Sequence, residues 1–287
     1  MLHTPHPYRG RRAVLTTMHG KLQALAPPFA QALGLDIVAS TGINTDALGT
    51  FTGETPRLGT MLQTAVAKAR LGIQATGLPL ALASEGSFGP HPQIPFVPAG
   101  TELLVFVDAD AGRVVHEAMV VAQTNFAHLT LKPGAPLERF LAQTGFPAHG
   151  LIVRPNQGDA GVGLTKGVVD RASLDRAVAL AAAVSSDHQA RIETDMRAHL
   201  NPTRMTSLSE LASRLAQRLA ARCPACSAPG WGRTETTPGL PCEACGTPTE
   251  MIEAEVFSCV ACDHRQHVPR SDGLTRAPAA RCPCCNP

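Results

Sequence analysis

The amino-acid sequence predicts an α/β fold, in which a mixed sheet is flanked by helices, followed by a small cysteine-rich module. Strand-like apolar runs alternate with helical stretches over roughly the first 205 residues, an order typical of sheets covered by helices. All nine cysteines lie between Cys223 and Cys285. We therefore expect an α/β domain, a connecting helix and a tail: 1–205, 206–221 and 222–287.

Composition and charge restrict the class of protein. The 287 residues are 44% hydrophobic, enough for a buried core, and a formal net charge of +2 gives no electrostatic case for nucleic-acid binding by the whole chain. No apolar run approaches the roughly 20 residues of a membrane helix. The basic N-terminus is not followed by the apolar run of a signal peptide. We expect a cytosolic (cytoplasmic) protein without a membrane partner.

The spacing of apolar residues gives the order of elements in the large domain. Strands are predicted at 13–17, 35–40, 78–83, 103–108 and 150–154, with 113–122 as the hairpin partner of 103–108. Helices are predicted at 21–33, 61–74, 136–144, 173–184 and 207–221. Gly34 is placed to end the first helix as its C-cap. The alternation indicates a sheet with helices on both faces.

A polar stretch after the third predicted strand, residues 84–92, is the leading candidate for a site. It combines hydroxyls, a carboxylate and an imidazole with glycines and prolines; the candidate side chains are Ser84, Glu85, Ser87 and His91. Strand ends that open into such loops carry chemistry in α/β proteins, because the sheet fixes the base of the loop. The alternative is a polar connecting turn.

Two other polar segments follow strand-like runs. The first, residues 16–21, lies at a strand-to-helix turn, where helix N–H groups attract anions and a lysine can pair with phosphate. It contains Thr17, His19 and Lys21. The second, the long loop 41–60, contains Glu54. Carboxylates beside a phosphate-binding turn are what magnesium-assisted phosphoryl chemistry requires, so the candidate catalytic residues are Glu54, Glu85 and Lys21.

A third polar cluster lies before the last helix. It consists of Glu193, Asp195, Arg197, Asn201 and Arg204. If the segment is helical, Glu193 and Arg197 are four residues apart and form an ordinary surface ion pair. If the cluster faces the other polar segments, Arg197 and Arg204 become candidates for phosphate or base contact. Lys68, in the second predicted helix, completes the substrate-binding candidates.

The cysteine tail has the spacing of a tandem zinc-ribbon module. Four paired motifs supply eight candidate ligands: Cys223, Cys226, Cys242, Cys245, Cys259, Cys262, Cys282 and Cys285. Fifteen residues separate the first two motifs and nineteen separate the last two, which fits two four-cysteine sites. We expect two structural zinc ions. Sequential pairing is the simplest arrangement, a cross-braced one is the alternative, and Cys284 is left over or exchanges with Cys285.

The tail also suggests a macromolecular partner. Tandem ribbons often bind nucleic acid or protein, and the tail is expected to be modestly basic. Its arginines are Arg222, Arg233, Arg265, Arg270, Arg276 and Arg281.

Nearly the whole chain resembles an uncharacterised bacterial family, a domain of unknown function. The resemblance lies in the His-Gly-Lys turn that ends at Lys21, Gly49-Thr-Phe-Thr-Gly-Glu54, Ala83-Ser-Glu-Gly-Ser-Phe-Gly-Pro-His-Pro92, Glu193-Thr-Asp-Met-Arg-Ala198, Asn201-Pro-Thr-Arg-Met205 and the cysteine tail. It implies no activity.

More distantly, residues 12–110 are similar in their order of elements to the inosine/xanthosine triphosphate pyrophosphatase superfamily. In that resemblance, Thr17, His19 and Lys21 correspond to the triphosphate-binding turn. Glu54 corresponds to the acidic loop, Lys68 to the helix, and Glu85 to the acidic strand end. The resemblance implies a magnesium-dependent nucleotide hydrolase.

These observations lead to two functional expectations. In the first, the α/β domain binds a phosphorylated small molecule or nucleotide, with hydrolysis assisted by magnesium at Glu54 and Glu85. In the second, the α/β domain is a non-catalytic nucleotide sensor, and the zinc ribbons bind nucleic acid or a protein partner.

Overall fold

The computed structural model describes residues 5–43, 45, 59–91, 94–159 and 161–287. Contacts divide the chain into two compact units, Met1–Leu215 and Ala216–Pro287. We call them the α/β unit and the cysteine module. Within the described residues, no helix is long and apolar enough to cross a membrane.

The first half of the α/β unit is a five-stranded mixed sheet. Its strands are β1 (Arg12–Leu15), β2 (Asp36–Ala39), β3 (Leu80–Pro90), β4 (Pro98–Asp108) and β5 (Arg113–Val121), in the order β2-β1-β3-β4-β5. β1 is parallel to β2 and β3, whereas β4 and β5 are antiparallel to their neighbours. Because the chain moves from β1 to β2 and then crosses back to β3, the carboxyl end of β1 is a topological switch point, where open sheets bind ligands.

Two helices cover this sheet. α1 (Leu22–Leu33) connects β1 to β2 and ends at Gly34, whose φ of 63° is readily adopted by glycine. α2 (Met61–Thr76) begins with a capping box between Thr60 and Gln63. Its small side chains Ala65 and Ala69 pack on Val14 and its neighbours in the sheet. The predicted mixed α/β fold is confirmed, and both helices lie close to the predicted positions.

The predicted loop at 84–92 is wrong for most of its length. β3 continues through Pro90 and pairs residue by residue with β4, from Leu80↔Asp108 to Pro90↔Pro98. Glycine, serine and proline suggested a loop, but the ladder with β4 outweighs these local preferences. His91 directly follows β3 and therefore lies about 23 Å from Ser84 along the strand direction, at about 3.3 Å per residue.

The second half of the α/β unit forms a separate antiparallel sheet. Its elements in chain order are β6 (His128–Leu131), α3 (Glu138–Thr144), β7 (Leu151–Pro155), β8 (Thr165–Val168), α4 (Arg171–Val184) and β9 (Ala190–Thr194). The strand order is β6-β9-β7-β8. An apolar core that includes Val153, Leu174, Val178 and Ile192 joins α4 to this sheet. β6, β8 and β9 have four or five residues each and escaped sequence prediction.

α5 (Pro202–Ala220) follows a 3-10 turn at Ala198–Leu200, and the division between the two units falls within this helix. The cysteine module contains a three-stranded antiparallel meander: β10 (Gly232–Pro238), β11 (Ile252–Ser258) and β12 (Arg265–Pro269).

Candidate functional site: a buried charge cluster and two four-cysteine groups

The structure gathers eight of the nine cysteines into two groups of four. The first group is Cys223, Cys226, Cys259 and Cys262, and the second is Cys242, Cys245, Cys282 and Cys285. In each group all sulfur atoms lie within 4.8 Å of one another. Close sulfur pairs are 3.6–3.9 Å apart. Tetrahedral zinc with Zn–S bonds of about 2.3 Å separates its sulfurs by about 3.8 Å, so both groups fit a zinc ion.

Sequential pairing of the cysteine motifs is therefore wrong, and the cross-braced alternative is observed. The reason is the meander. β10 begins near Cys223 and ends near Cys242, so the second motif lies at the opposite end of a strand of seven residues, or about 23 Å. β11 returns the chain to the first end, where Cys259 meets Cys226. Each strand carries the chain from one end of the sheet to the other. The first and third cysteine motifs therefore lie at one end, and the second and fourth lie at the other.

The first two motifs repeat one local geometry. The backbone N–H of Ala225 points to the Cys223 sulfur and that of Ala244 to the Cys242 sulfur, each at 3.4 Å. The residue after each motif has a positive φ, 60° at Ser227 and 75° at Gly246. N–H groups directed at sulfur favour the thiolate, which is the form that binds metal.

The expectation of a modestly basic tail does not hold. The six arginines of residues 222–287 are outnumbered by seven acidic residues. Three of the arginines are in ion pairs with nearby carboxylates, namely Arg233 with Glu255, Arg265 with Glu235 and Arg270 with Asp272. Cys284 is exposed and lies outside both cysteine groups.

In the α/β unit, the turn after β1 places a buried lysine against β3. Lys21, the residue before the first turn of α1, is 8% exposed, and its Nζ donates a hydrogen bond of 2.9 Å to the hydroxyl of Ser84, which is 6% exposed. Among the described residues, no carboxylate lies within ion-pair distance of Lys21. Within these residues, the partner of the buried Lys21 amine is therefore a neutral hydroxyl.

Two buried ion pairs lie close to Lys21. Lys68 of α2 pairs with Glu85 of β3, and Arg204 of α5 binds Glu102 of β4 through two hydrogen bonds of 2.5 and 3.1 Å. Alternate residues of a strand face opposite sides, so Glu85 faces α2 and Ser84 faces away from it. Each pair satisfies its own charges.

The Glu102–Arg204 pair is fixed from several sides. The other guanidinium branch of Arg204 donates to the Met196 carbonyl at 2.5 Å, and the guanidinium lies 5.2 Å from the Phe88 ring centre. Gly86 lies opposite Glu102 in the ladder, and any Cβ at this position would overlap the Arg204 guanidinium. Glycine at position 86 is therefore a packing requirement of the ion pair.

The surroundings of Lys21 disfavour its charged form. Burial removes water from the ammonium group and lowers the pKa of Lys21 from 10.5 to about 7. Arg204 and Lys68 lower this pKa further by repulsion, while Glu102 and Glu85 oppose the shift. Lys21 thus changes charge near neutral pH.

Two predicted residues of the same turn lie beside Lys21. The Thr17 hydroxyl accepts a hydrogen bond of 3.2 Å from the His19 backbone N–H. The His19 ring stacks on His199, with centroids 5.3 Å apart and planes 6° from parallel. Burial, with Arg197 as a second cause, lowers the pKa of His199 and so favours its neutral imidazole.

The remaining predicted residues that the structure describes have other positions and partners. Ser87 is exposed on the same face of β3 as Glu85, and the His91 ring accepts a hydrogen bond from the Ile94 N–H in the β3–β4 connection. Arg197 forms an ion pair with Asp195. Glu54 lies outside the described residues.

The predicted helical Glu193–Arg197 pair is wrong, because Glu193 belongs to β9. Its carboxylate instead pairs with Arg154 and Arg191 on the sheet.

Sequence reasoning missed Glu102 and His199. Glu102 is completely buried within a strand, and its only sequence signal is an acidic residue at the start of the apolar run that follows Pro98. His199 had no signal, because its position beside residue 19 depends on long-range packing.

The family model described as Domain of unknown function (DUF6671) matches residues 68–287. The chain belongs to this family. The DUF6671 match includes both cysteine groups and the ion pairs Lys68–Glu85 and Glu102–Arg204, while Lys21 precedes it. The expected membership of a family of unknown function is confirmed. A comparison with curated proteins finds no match.

Proposed function

We propose that the α/β unit binds a phosphorylated small molecule at the carboxyl end of β1, with Lys21 as the residue that recognises the phosphate. The observation that carries this proposal is a nine-tenths buried lysine with no carboxylate partner among the described residues. A buried ammonium is costly without a counter-charge, and a bound anion supplies one.

The position of Lys21 supports an anionic ligand. Lys21 precedes the first turn of α1, which has neither a side-chain cap nor an acidic residue in that turn. The free N–H groups and the dipole of a helix N-terminus attract anions. The same turn lies at the switch point between β1 and β3, where open sheets bind their ligands.

The charges around Lys21 make this lysine the residue that binds the anion. Lys68 and Arg204 already hold carboxylates, so within the part of the chain that the structure describes Lys21 is the cation of this cluster that remains for a ligand. A bound phosphate favours the ammonium form, and binding is therefore accompanied by proton uptake near neutral pH. Phosphate affinity should accordingly fall as the pH rises above 7.

We include nucleotides among the proposed ligands because of the imidazole stack. His19 and His199 lie beside the same turn and present flat aromatic surfaces. Stacking of a base on an aromatic side chain is worth about 1–3 kcal/mol.

Magnesium-assisted hydrolysis, implied by the pyrophosphatase resemblance, is not part of this proposal. It requires Glu85 as a metal ligand, and Glu85 is the counter-ion of Lys68. We assign Glu85 the role of holding Lys68.

We propose structural zinc for the cysteine module. A site closed by four thiolates leaves no open coordination position for chemistry. The balance of six arginines and seven acidic residues gives no electrostatic support for nucleic-acid binding. We therefore favour the ligand-binding function of the α/β unit over the expectation that the ribbons recruit nucleic acid.

Titration calorimetry of the zinc-loaded protein tests the proposal. The ligands are pyrophosphate, nucleoside monophosphates and nucleoside triphosphates, each measured in two buffers of different ionisation enthalpy to count protons taken up. Lys21→Met should weaken binding by about tenfold or more, the factor expected for loss of a charged hydrogen bond. Lys132→Met, which removes an exposed lysine, is the matched control and should bind as the unmodified protein does.

Two outcomes contradict the proposal. One is equal affinity in Lys21→Met and in the unmodified protein. The other is no measurable heat with any phosphorylated ligand at about pH 6, where the ammonium form dominates.

A further inference from the structure

The hydrogen bond between Lys21 and Ser84 has the geometry of a nucleophile and its base. The lysine Nζ and the serine Oγ are 2.9 Å apart, and both side chains are more than nine-tenths buried. They come from different elements, since Lys21 begins α1 and Ser84 lies within β3. Phosphate recognition by Lys21 alone does not use this serine.

The neighbouring carboxylates pair with other cations and not with Lys21. The two carboxylates that act on Lys21 among the described residues are occupied, Glu85 by Lys68 and Glu102 by Arg204. A serine hydroxyl becomes a nucleophile when an adjacent base accepts its proton, and a lysine acts as that base only when it is uncharged. Burial and the two neighbouring cations maintain a large neutral fraction of Lys21 at neutral pH, since they lower its pKa to about 7.

We propose that Ser84 is a nucleophile and Lys21 its general base, acting on an activated acyl compound such as an ester. As the Ser84 Oγ forms a bond to the carbonyl carbon, the neutral Lys21 amine takes the hydroxyl proton. The resulting ammonium returns the proton to the leaving oxygen as the carbon–oxygen bond breaks. Water then attacks the acyl-serine, and the neutral Lys21 amine takes one of its protons. As the bond between the acyl carbon and the Ser84 Oγ breaks, Lys21 returns this proton to Oγ, which releases the carboxylic acid and restores both the hydroxyl and the neutral amine.

This inference rests on the proposed function, because phosphate binding and catalysis use opposite charge states of Lys21. The ammonium form holds an anion, and the neutral form activates Ser84. A bound phosphate stabilises the ammonium form and should therefore slow acylation of Ser84. Arg204, Lys68, Glu102 and Glu85 are the charged groups that set this balance.

The test is acylation of the full-length, zinc-loaded protein by p-nitrophenyl acetate, followed by peptide mapping of the acetyl group. Ser84 should be labelled with a rate that rises through about pH 7. Lys21→Arg keeps a positive charge but has no base near neutral pH, so labelling should slow about 100-fold, within the usual range for general-base catalysis. Ser84→Ala should abolish the adduct, and Ser186→Ala, which changes an exposed serine, should leave it unchanged.

Three results would overturn the assignment: an acetyl group on Lys21 instead of Ser84, neither an adduct on Ser84 nor a release of p-nitrophenol that depends on Ser84, or equal labelling rates in Lys21→Arg and the unmodified protein. Retained circular dichroism and zinc content show that each variant is folded. Failure of the proposed function has a different signature, namely labelled Ser84 together with no heat on titration with pyrophosphate.

Discussion

The two units of the chain bury very different sets of side chains. The α/β unit contains continuous apolar clusters on both of its sheets. In the cysteine module, the fully buried apolar side chains larger than alanine are Leu219, Leu240 and Val256, alongside the buried cysteines Cys223, Cys242 and Cys282. A unit with so little apolar burial needs another source of free energy to offset its conformational entropy.

This difference indicates the source of stability of each unit. The cysteine module should depend on metal, because binding of a structural zinc contributes about 10–16 kcal/mol in small zinc domains. The α/β unit can tolerate the cost of buried charge because a large apolar core surrounds it. Its charge cluster is therefore a feature that stability alone does not require.

The largest effect should come from the cysteine groups. Cys242→Ser removes a buried sulfur of the second group and should reduce bound zinc from two ions to one per chain, with loss of protection in the strands of the module. Cys284→Ser is the matched control, because this cysteine lies outside both groups. Metal analysis with native mass spectrometry measures the stoichiometry. Two zinc ions in Cys242→Ser, or one in Cys284→Ser, would contradict the ligand assignment.

The next largest effect should come from breaking the buried ion pair. Arg204→Met leaves Glu102 buried without its partner and should cost about 3–5 kcal/mol in the free energy of unfolding of the α/β unit. Urea unfolding measures this cost. Replacing both residues by Met and Gln should recover part of it, because no unpaired charge remains. A loss below about 1 kcal/mol would show that the pair is not buried in solution.

The pH dependence of the free energy of unfolding tests the lowered pKa of Lys21. Its pKa in the folded state, about 7, lies below the unfolded value. The unfolded chain therefore binds more protons between these two values, and stability should rise with pH above 7 by up to about 1.4 kcal/mol per unit. Below pH 7 the full cost of burying the ammonium is present. Lys21→Met should accordingly be more stable than the unmodified protein at about pH 6, with the difference shrinking by about pH 9.

The smallest effect should come from an exposed ion pair in α5. Glu210 and Arg214 are four residues apart, and both side chains are about half exposed. Arg214→Met should cost only about 0.3–0.5 kcal/mol in the same urea experiment. This variant is the exposed counterpart of Arg204→Met. Equal losses of unfolding free energy in the two variants would contradict the claim that the buried ion pair contributes more than the exposed one.

Local patterns were sufficient to predict the main elements. The first two helices, the β4–β5 hairpin and the eight grouped cysteines all followed from periodicity, turn residues or spacing. Which cysteine motifs pair with each other was not predictable in the same way. The cross-braced pairing depends on three strands that each carry the chain across the module, and sequence distance favoured the neighbouring motif instead.

The candidate site was only partly predictable. Lys21 was identified at its strand-to-helix turn, but Ser84 and Glu85 were identified as members of a loop, whereas β3 holds both in a ladder. Glu102 was missed because a buried carboxylate looks like an isolated polar residue until its arginine is known, and Arg204 is 102 residues away. Such pairings depend on tertiary packing, which residue spacing does not record.

Hydrogen exchange of the full-length protein before and after zinc removal tests the contrast between the two units most directly. We predict that chelation abolishes protection in β10, β11 and β12 and preserves it in β3, β4 and β7. Retained protection of the meander without metal would contradict the account, as would simultaneous loss of protection in both units.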